Sequence, residues 1–307
     1  MILLWGVASD PPLAEVRTRL AERRRNALLL DQRAVLETAA EVIFDETPRG
    51  WVSWGGVRLD LGEVRAAYLR PCDPADVPEV RRAGPESPEA RHAVEIYEAI
   101  RLWAELTPAL VVNRLSAGAS NSSKPYQGEL IRLAGFEVPT TLLTTDPDAA
   151  REFCARHRDV IFKSVSGVRS VVARVDDAMR ERLPLVASCP TQLQARVPGR
   201  DVRVHVVGGD IFACEIESTA DDYRYARRQG AAISMRSVEL PADCAERSVA
   251  LARRLGLTMA GIDLRRTPEG AWVCFEVNPS PGFTFFDLDG RIARCVAGHL
   301  ASAPRRV

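Results

Sequence analysis

The sequence has little lysine, no paired cysteine motif and no long apolar run, and each shortage excludes a class of protein. Lys plus Arg and Asp plus Glu both total 41 in 307 residues, so no net charge is available to hold a polyanion or an anionic bilayer. No stretch approaches the roughly 20 apolar residues that span a membrane. The apolar start, residues 1–7, is too short for a signal segment and predicts a buried strand. We therefore expect neither nucleic acid nor a membrane as a partner.

The cysteines are odd in number and scattered along the chain. There are seven, at positions 72, 154, 189, 214, 244, 274 and 295, with no Cys-x-x-Cys and no Cys/His cluster. This pattern indicates neither a disulfide framework nor a zinc site. A reducing, cytoplasmic location is the prediction.

The scarcity of lysine draws attention to two positions. Of the 41 basic residues, only Lys124 and Lys163 are not arginine. A coding bias toward arginine would leave two lysines by chance. The alternative is that these two positions need a compact ammonium charge that the planar guanidinium fork does not provide.

Length and composition are those of a globular enzyme with two to three compact units. In the first third, apolar runs that include residues 42–44 alternate with amphipathic ones, which predicts a small parallel α/β sheet. Residues 51–59 predict a hairpin with a Gly-Gly turn, and the proline-rich residues 71–88 predict a linker. A long helix is predicted over residues 89–106.

The rest of the chain mixes helices with antiparallel pairs. The pattern predicts helices at 124–134, from 146, at 242–255 and at 285–300, strands from 138 and at 160–163, and hairpins over 201–216 and 260–278. Strand 160–163 runs into a small-residue loop, 164–170. The polar segment 215–229 has both signs of charge and two tyrosines, which is typical of a binding loop or of an ordinary solvated one.

The last hairpin carries a set of oxygen ligands. If residues 267–270 form its turn, Asp263 lies opposite Cys274, and Glu276 and Asn278 follow on the same face. The opposite face would then be apolar and would include Phe275. Two carboxylates and an amide oxygen without His or Cys suit Mg²⁺, with phosphate oxygens and waters completing its shell.

A plainer interpretation is that Asp263 and Glu276 are simply solvated. Against it stands the turn at residues 279–283, Pro-Ser-Pro-Gly-Phe, directly after Asn278. Such a rigid segment of small residues lets a ligand approach the backbone closely.

With these residues in view, the chain resembles the ATP-grasp carboxylate-amine ligases, and is similar in pattern to the ribosomal-protein glutamate ligases and the microviridin-type peptide ligases. The resemblance covers about residues 109 to 290 in detail. It implies an α/β (α+β) ATP-grasp fold with an amino-terminal Rossmann-like domain, 1–112, and two subdomains that clasp ATP. The central subdomain, 113–192, would hold the phosphate loop and the carboxy-terminal one, 193–307, the magnesium site.

The family pattern also implies roles for single residues. The implied ATP-binding residues are Lys124, Lys163, Ser166, Gly167, Arg169, Gln194, Arg196, Val197 and Asp201. The implied magnesium ligands are Asp263, Glu276 and Asn278, and the implied catalytic residues are Lys163, Arg203 and Arg224. One position departs from the family pattern, because Gly261 stands where ligases of the D-alanine type carry an arginine. The compensating charge would come from Arg169, Arg203 or Arg224.

The resemblance implies an ADP-forming ligase that activates a carboxylate as an acyl phosphate and joins it to the amine of an amino acid or peptide, with ATP and Mg²⁺. Three alternatives stay open: a phosphotransferase using the same site, a nucleotide-binding regulatory protein without turnover, and a magnesium-dependent hydrolase. The substrates are expected to be small molecules or peptides, and the near-zero net charge is compatible with a homodimer.

Overall fold

The computed structural model describes residues 1–164, 172–218 and 232–304. Their strands form four sheets. The strands are β1 Ile2–Gly6, β2 Ala27–Asp31, β3 Ala39–Ile43, β4 Arg49–Trp54, β5 Val57–Asp60, β6 Ala66–Arg70, β7 Leu110–Val112, β8 Thr141–Thr144, β9 Val160–Ser164, β10 Val172–Arg174, β11 Thr191–Ala195, β12 Arg200–Val207, β13 Asp210–Ser218, β14 Ile233–Val238, β15 Met259–Arg266 and β16 Trp272–Asn278. The α-helices are α1 Pro11–Glu22, α2 Pro78–Ala83, α3 Pro88–Leu106, α4 Lys124–Leu133, α5 Pro147–Arg156, α6 Asp177–Glu181, α7 Ala242–Arg254 and α8 Arg291–Ala301.

The amino-terminal unit is built on a parallel sheet in the order β2-β1-β6-β7, as the alternating pattern predicts. Alternate residues of β1 enter two different cores, because successive side chains of a strand point to opposite faces. Leu3 and Trp5 pack with α3, whereas Ile2 and Leu4 pack with α1 and α8. Both faces are therefore covered, as is usual for a parallel sheet. The last helix of the chain closes the core of the first unit.

Three predictions for this chain are corrected by the structure. Residues 42–44 do not join the parallel sheet, because β3 pairs antiparallel with the hairpin β4-β5 in a sheet of its own. The proline-rich segment 71–88 contains a short helix, α2, which begins at Pro78 where proline is tolerated. The closing helix begins at Arg291, after Gly290 in a left-handed conformation, and not at residue 285.

The middle sheet has the order β10-β9-β11-β8 and is antiparallel throughout. Its core joins Phe153 of α5 to Val160 and Leu193. Strand β11 runs from 191 to 195 and so crosses the predicted boundary between residues 192 and 193. The two boundaries between the three domains stay predictions.

The carboxy-terminal sheet has the order β14-β13-β12-β15-β16. One of its faces packs on α4 and α7 through Val204, Ile262, Ile131 and Leu251. Its other face carries the polar side chains considered below. Helix α4 thus belongs to this core, although its sequence precedes the middle sheet. Among the described residues, no helix is long and apolar enough to cross a membrane.

Candidate active site

A β-bulge in the last hairpin decides which residues face each other. Asp263 pairs with Glu276 and Leu264 with Cys274, so Phe275 is an extra residue in β16. The predicted pairing of Asp263 with Cys274 is wrong, because a sequence count cannot register one unpaired residue. Cys274 lies in the core with no exposed surface, and this burial, together with Asp263, raises the pKa of its thiol well above the ordinary value.

The bulge places three charged side chains in one row across three strands. Arg203 of β12 pairs with Asp263 of β15, which pairs in turn with Glu276 of β16. Paired residues share a face, so all three project to the same side. Arg203 is 6% exposed, and its Nη1 donates to Asp263 Oδ1 at 2.6 Å. A positive charge therefore contacts one carboxylate, and a second carboxylate follows on the next strand, all on the face away from α4 and α7.

Gly261 explains how the guanidinium fits against the sheet. A Cβ at this position would lie 2.4 Å from Arg203 Nη2 and 2.6 Å from Pro281 Cβ. Arg203 thus occupies the space in which a side chain at 261 would stand. That Arg203 supplies the charge which the D-alanine type places at position 261 stays a prediction. Arg169 and Arg224, the other two candidates, lie outside the described residues.

Buried amide side chains hold the end of β16. Gln127 of α4 donates from Nε2 to the Val277 carbonyl and accepts the Val277 N–H on Oε1, both at 2.9 Å. Asn113, just after β7, donates to the Met259 and Pro279 carbonyls at 2.6 Å each. Val277 stands between Glu276 and Asn278, so these bonds fix the backbone of both predicted ligands. The side chain of Asn278 is itself oriented, since its Oδ1 accepts the Ser280 N–H at 2.8 Å.

Arg70 ties the amino-terminal unit to the same segment. Its Nε donates to Asp10 Oδ2 at 2.6 Å, and its Nη1 donates to Ser280 Oγ at 3.0 Å and to the Pro281 carbonyl at 3.1 Å. Arg70 ends β6 at the carboxyl edge of the parallel sheet, where α/β folds commonly bind ligands.

Sequence reasoning missed Gln127, Asn113 and Arg70. For Gln127 a signal existed, because it lies four residues before the buried Ile131 on the packed face of α4. A polar residue on such a face needs a partner, but the partner lies 150 positions away along the chain.

Both lysines come from elements that contact β16. The Lys163 ammonium, from β9, lies 5.9 Å from the centroid of the Phe275 ring, and the Arg265 guanidinium lies 5.2 Å from the same centroid. Lys124 is the first residue of α4, less than one turn before Gln127. The extra residue of the bulge therefore links the middle sheet to the carboxy-terminal one.

The predicted adenine and ribose positions lie at the junction of β11 and β12. Gln194 is 5% exposed; its Nε2 donates to Thr141 Oγ1 at 3.1 Å, while its Oε1 accepts no hydrogen bond from the described residues. The Arg196 N–H donates to the Asp159 carbonyl, and the Val197 carbonyl accepts from Arg265. Hinge contacts to a nucleotide would therefore come from the Arg196 carbonyl and the Val197 N–H.

The Asp201 carboxylate, which the resemblance assigns to ribose, is already paired within the protein. Arg265 Nε and Nη2 donate to its two carboxylate oxygens at 2.8 and 2.9 Å, a bidentate pair. A ribose hydroxyl at this position would share the carboxylate with the guanidinium.

Two parts of the predicted site lie outside the described residues. They are the phosphate-loop residues Ser166, Gly167 and Arg169, and most of the polar segment 215–229, including Arg224. Within the described ranges, no three His, Cys, Asp or Glu side chains cluster to hold a metal. The donor set is two carboxylates and one amide oxygen, which fits Mg²⁺ only if phosphate and water supply the remaining ligands.

Comparison with known proteins defines the class. The model of the RimK-like ATP-grasp domain matches residues 122–300, which is more than half of the chain. The chain belongs to this family. The family and the ATP-grasp fold predicted from the sequence are therefore confirmed.

Curated relatives include ligases of glutamate. A probable alpha-L-glutamate ligase of Sodalis glossinidius is 29% identical over 58% of this chain and 63% of that protein. The ribosomal protein bS6–L-glutamate ligase of Escherichia coli (strain K12 / DH10B) is 26% identical over 64% of this chain and 70% of that protein. The chain thus matches less than two thirds of the Sodalis protein. Both names agree with the ligase class predicted from the sequence.

Solved structures resemble the whole chain. The macrocyclase MdnC of Microcystis aeruginosa MRC, solved with precursor peptide MdnA, has a TM-score of 0.81 and 21% identity, over 98% of this chain and 99% of that chain. A RiPP-associated ATP-grasp ligase of Chryseobacterium gregarium, solved with ADP and a leader and core peptide, has a TM-score of 0.83 and 22% identity, over 99% and 97%. At this identity the likeness is one of fold.

Proposed function

We propose that this protein is an ATP-dependent, ADP-forming ligase that joins a carboxylate to an amine through an acyl phosphate. The observation that carries the proposal is the row Arg203, Asp263 and Glu276, assembled by the bulge and adjoined by Lys163 through Phe275. Phosphoryl transfer needs mainly positioned charge, and this row supplies charge of both signs on one rigid sheet.

ATP would bind where the middle and carboxy-terminal sheets meet, at Lys163 and Phe275. The buried Gln194 Oε1, which accepts no bond from the described residues, suits the exocyclic amino group of adenine. Lys124 and Lys163 would bind phosphate oxygens, with Ser166, Gly167 and Arg169 as further predicted contacts. Asp263, Glu276 and Asn278 would hold Mg²⁺, which when bound neutralises phosphate charge and orients the γ-phosphoryl group.

The reaction has two steps. A carboxylate oxygen of the first substrate attacks the γ-phosphorus, the bond between that phosphorus and the β,γ-bridging oxygen breaks, and ADP leaves. The amine nitrogen of the second substrate then attacks the acyl carbon, inorganic phosphate leaves, and the nitrogen releases a proton to solvent. Of the three predicted arginines, Arg203 lies in the described part of the chain, beside Asp263, and we propose that it binds the carboxylate and the transferring phosphoryl oxygens.

The substrates are proposed at the level of chemical class. Relatives are named for glutamate and for a ribosomal protein, and fold neighbours were solved with peptides. We propose that one substrate is an amino acid or a peptide side chain. A homodimer and a cytoplasmic location stay predictions.

The test uses hydroxylamine, which converts an acyl phosphate to a stable hydroxamate. Purified protein would be incubated with Mg²⁺-ATP, hydroxylamine and pools of amino acids and peptides as carboxylate donors. The expected result is ADP and hydroxamate in equal amounts. A stable phosphorylated product would indicate a phosphotransferase instead. Bound ATP without ADP formation from any pool would indicate a regulatory protein.

A further inference from the structure

A second concavity lies next to the proposed phosphate site. Strand β14 pairs with β13 only from Ala213 onward, so the first residues of β13 have an open edge. Beside this edge is a cavity of about 340 Å³, bounded by the starts of α7 and α8 and lined in part by His205, Phe212 and Phe286. Its volume suits a group the size of one amino-acid residue.

His205 is the polar group that this cavity leaves without a partner. The side chain is 1% exposed, and neither ring nitrogen has a hydrogen-bond partner among the described residues. Burial and the nearby Arg203 hold the pKa of His205 well below its ordinary value, so the ring is neutral and offers one acceptor and one donor nitrogen. Since buried polar groups are normally satisfied, an imidazole without a partner among the described residues can receive one from a polar group in the adjoining cavity.

One aromatic ring connects the cavity to the proposed phosphate site. The Phe286 ring contacts His205 with a centroid separation of 5.5 Å, and the Arg203 guanidinium lies 5.4 Å from the centroid of the same ring. The Phe286 ring therefore lies between His205 in the cavity and Arg203, which contacts Asp263.

The charges around the cavity favour a cation. Glu239, Asp287 and Asp289 line it together with one guanidinium, that of Arg291. Asp287 is engaged by the N–H groups that open α8, and the Asp289–Arg291 ion pair is long, at 3.9 Å. The lining keeps an excess of negative charge, and an excess of one sign attracts the opposite one.

We propose that this cavity binds the amine-bearing substrate. Its carboxylates attract the ammonium form, and the neutral His205 accepts a hydrogen bond from that group. The nitrogen loses a proton to solvent before it attacks the acyl carbon. This assignment rests on the proposed ligase function. The amine belongs either to a side chain or to the α-position of an amino acid, and the test separates the two sources.

The direct test needs no ATP and no turnover. Full-length protein labelled with ¹⁵N in its four histidines would be titrated with N-acetyl-lysine methylamide, alanine methylamide and the uncharged N-acetyl-norleucine methylamide. We expect saturable shifts of the His205 ring nitrogens with at least one amine and none with the uncharged probe. The amine probe that binds more tightly shows whether the substrate amine belongs to a side chain or to the α-position. Unchanged His205 signals, or equal binding of the uncharged probe, would overturn the proposal.

Removing a negative or a positive charge from the cavity lining should change the affinity for the amine probe in opposite directions. Glu239→Gln should weaken binding of the amine probe about two- to fivefold, whereas Arg291→Gln should strengthen it by a similar factor. Both side chains are exposed, so neither change should unfold the protein. Equal effects of the two variants in the same direction would contradict an electrostatic amine site.

The hydroxylamine assay separates this proposal from the ligase proposal. Hydroxylamine needs no substrate pocket, so His205→Phe should lower amide formation with the amine substrate much more than it lowers hydroxamate formation. Loss of both products in a folded variant would place His205 outside amine recognition. Absence of hydroxamate with the unmodified protein would refute the ligase, and the amine titration would still report on the cavity.

Discussion

The two hairpins of the carboxy-terminal sheet differ in one residue of register, and that residue decides which side chain of β16 lies opposite Asp263. The β12–β13 hairpin turns at Gly208-Gly209 and pairs one-to-one from Val207 with Asp210 to Asp201 with Ile216. The β15–β16 hairpin instead contains the bulge at Phe275. A regular hairpin preserves the alternation of faces, whereas a bulge re-aims the side chains that follow it.

The bulged hairpin carries an electrostatic cost that the regular one lacks. Asp263 and Glu276 are directly opposite each other, and like charges in that arrangement destabilise a sheet. The regular hairpin supplies the compensation, because its Arg203 pairs with Asp263. An unfavourable pair held in place by a neighbouring strand is typical of a binding site rather than of a structural element.

The largest effect is expected from removing a charge of the bulged hairpin. Glu276→Gln should lower the rate of ADP release by at least about a hundredfold, because one electrostatic contact to a developing charge is worth about 3 kcal/mol. Glu269→Gln, in the exposed turn of the same hairpin, is the matched control and should keep full activity. Steady-state rates and circular dichroism of both variants would check this. A fully active Glu276→Gln protein would remove this residue from the magnesium site.

Two buried glutamines make the same pair of hydrogen bonds to the backbone, one at β16 in the candidate site and one far from it, so their variants can be compared. Gln127 hydrogen-bonds to the backbone of Val277, and Gln32 to the backbone of Cys72 in the amino-terminal unit. Each side chain donates one bond and accepts one. Changing either to leucine should cost about 1 to 3 kcal/mol in the free energy of unfolding by urea, since backbone groups lose their partners. Only Gln127→Leu should also weaken Mg²⁺-ATP binding in a titration. Equal nucleotide binding by both variants would show that β16 needs no such support.

Two glycines, one from each hairpin, test the space taken by Arg203. Gly261→Ala should destabilise the protein by about 1 to 3 kcal/mol and slow turnover, because the new Cβ collides with the guanidinium and with Pro281. At Gly209, in the regular turn, a Cβ would meet nothing within 4 Å, so Gly209→Ala should be nearly neutral. Thermal unfolding and ADP release would be compared. An active, stable Gly261→Ala protein would mean that Arg203 can stand elsewhere.

The smallest effect expected is a pH dependence of stability from the regular hairpin. The pKa of His205 is held well below its ordinary value in the folded protein, so below about pH 6.5 the unfolded chain binds a proton that the folded one does not. Stability is therefore lost as the pH falls, by about 1 kcal/mol from this group between pH 7 and 5.5. Urea unfolding at both pH values should show this loss in the unmodified protein and in His157→Gln. His205→Phe should lack it, and an unchanged slope would contradict the buried, neutral ring.

Much of the candidate site could be proposed from the sequence because its chemistry is local in the sequence. Two lysines among 41 basic residues, and two acids with an asparagine on one predicted hairpin, indicated where to look. Alternation of apolar residues was enough to predict the parallel sheet and both hairpins. Residue order and type determine these features directly.

Only the tertiary structure decided the register and the partners. The bulge at Phe275 exchanges Cys274 and Phe275 between core and site, and no periodicity encodes a single unpaired residue. The same holds for Arg203 above Gly261 and for Gln127 beneath Val277, since each contact joins residues far apart along the chain. Sequence alone thus determined which groups are available here. Packing of distant strands and helices decided which of them meet, because the energy of such contacts depends on three-dimensional distance.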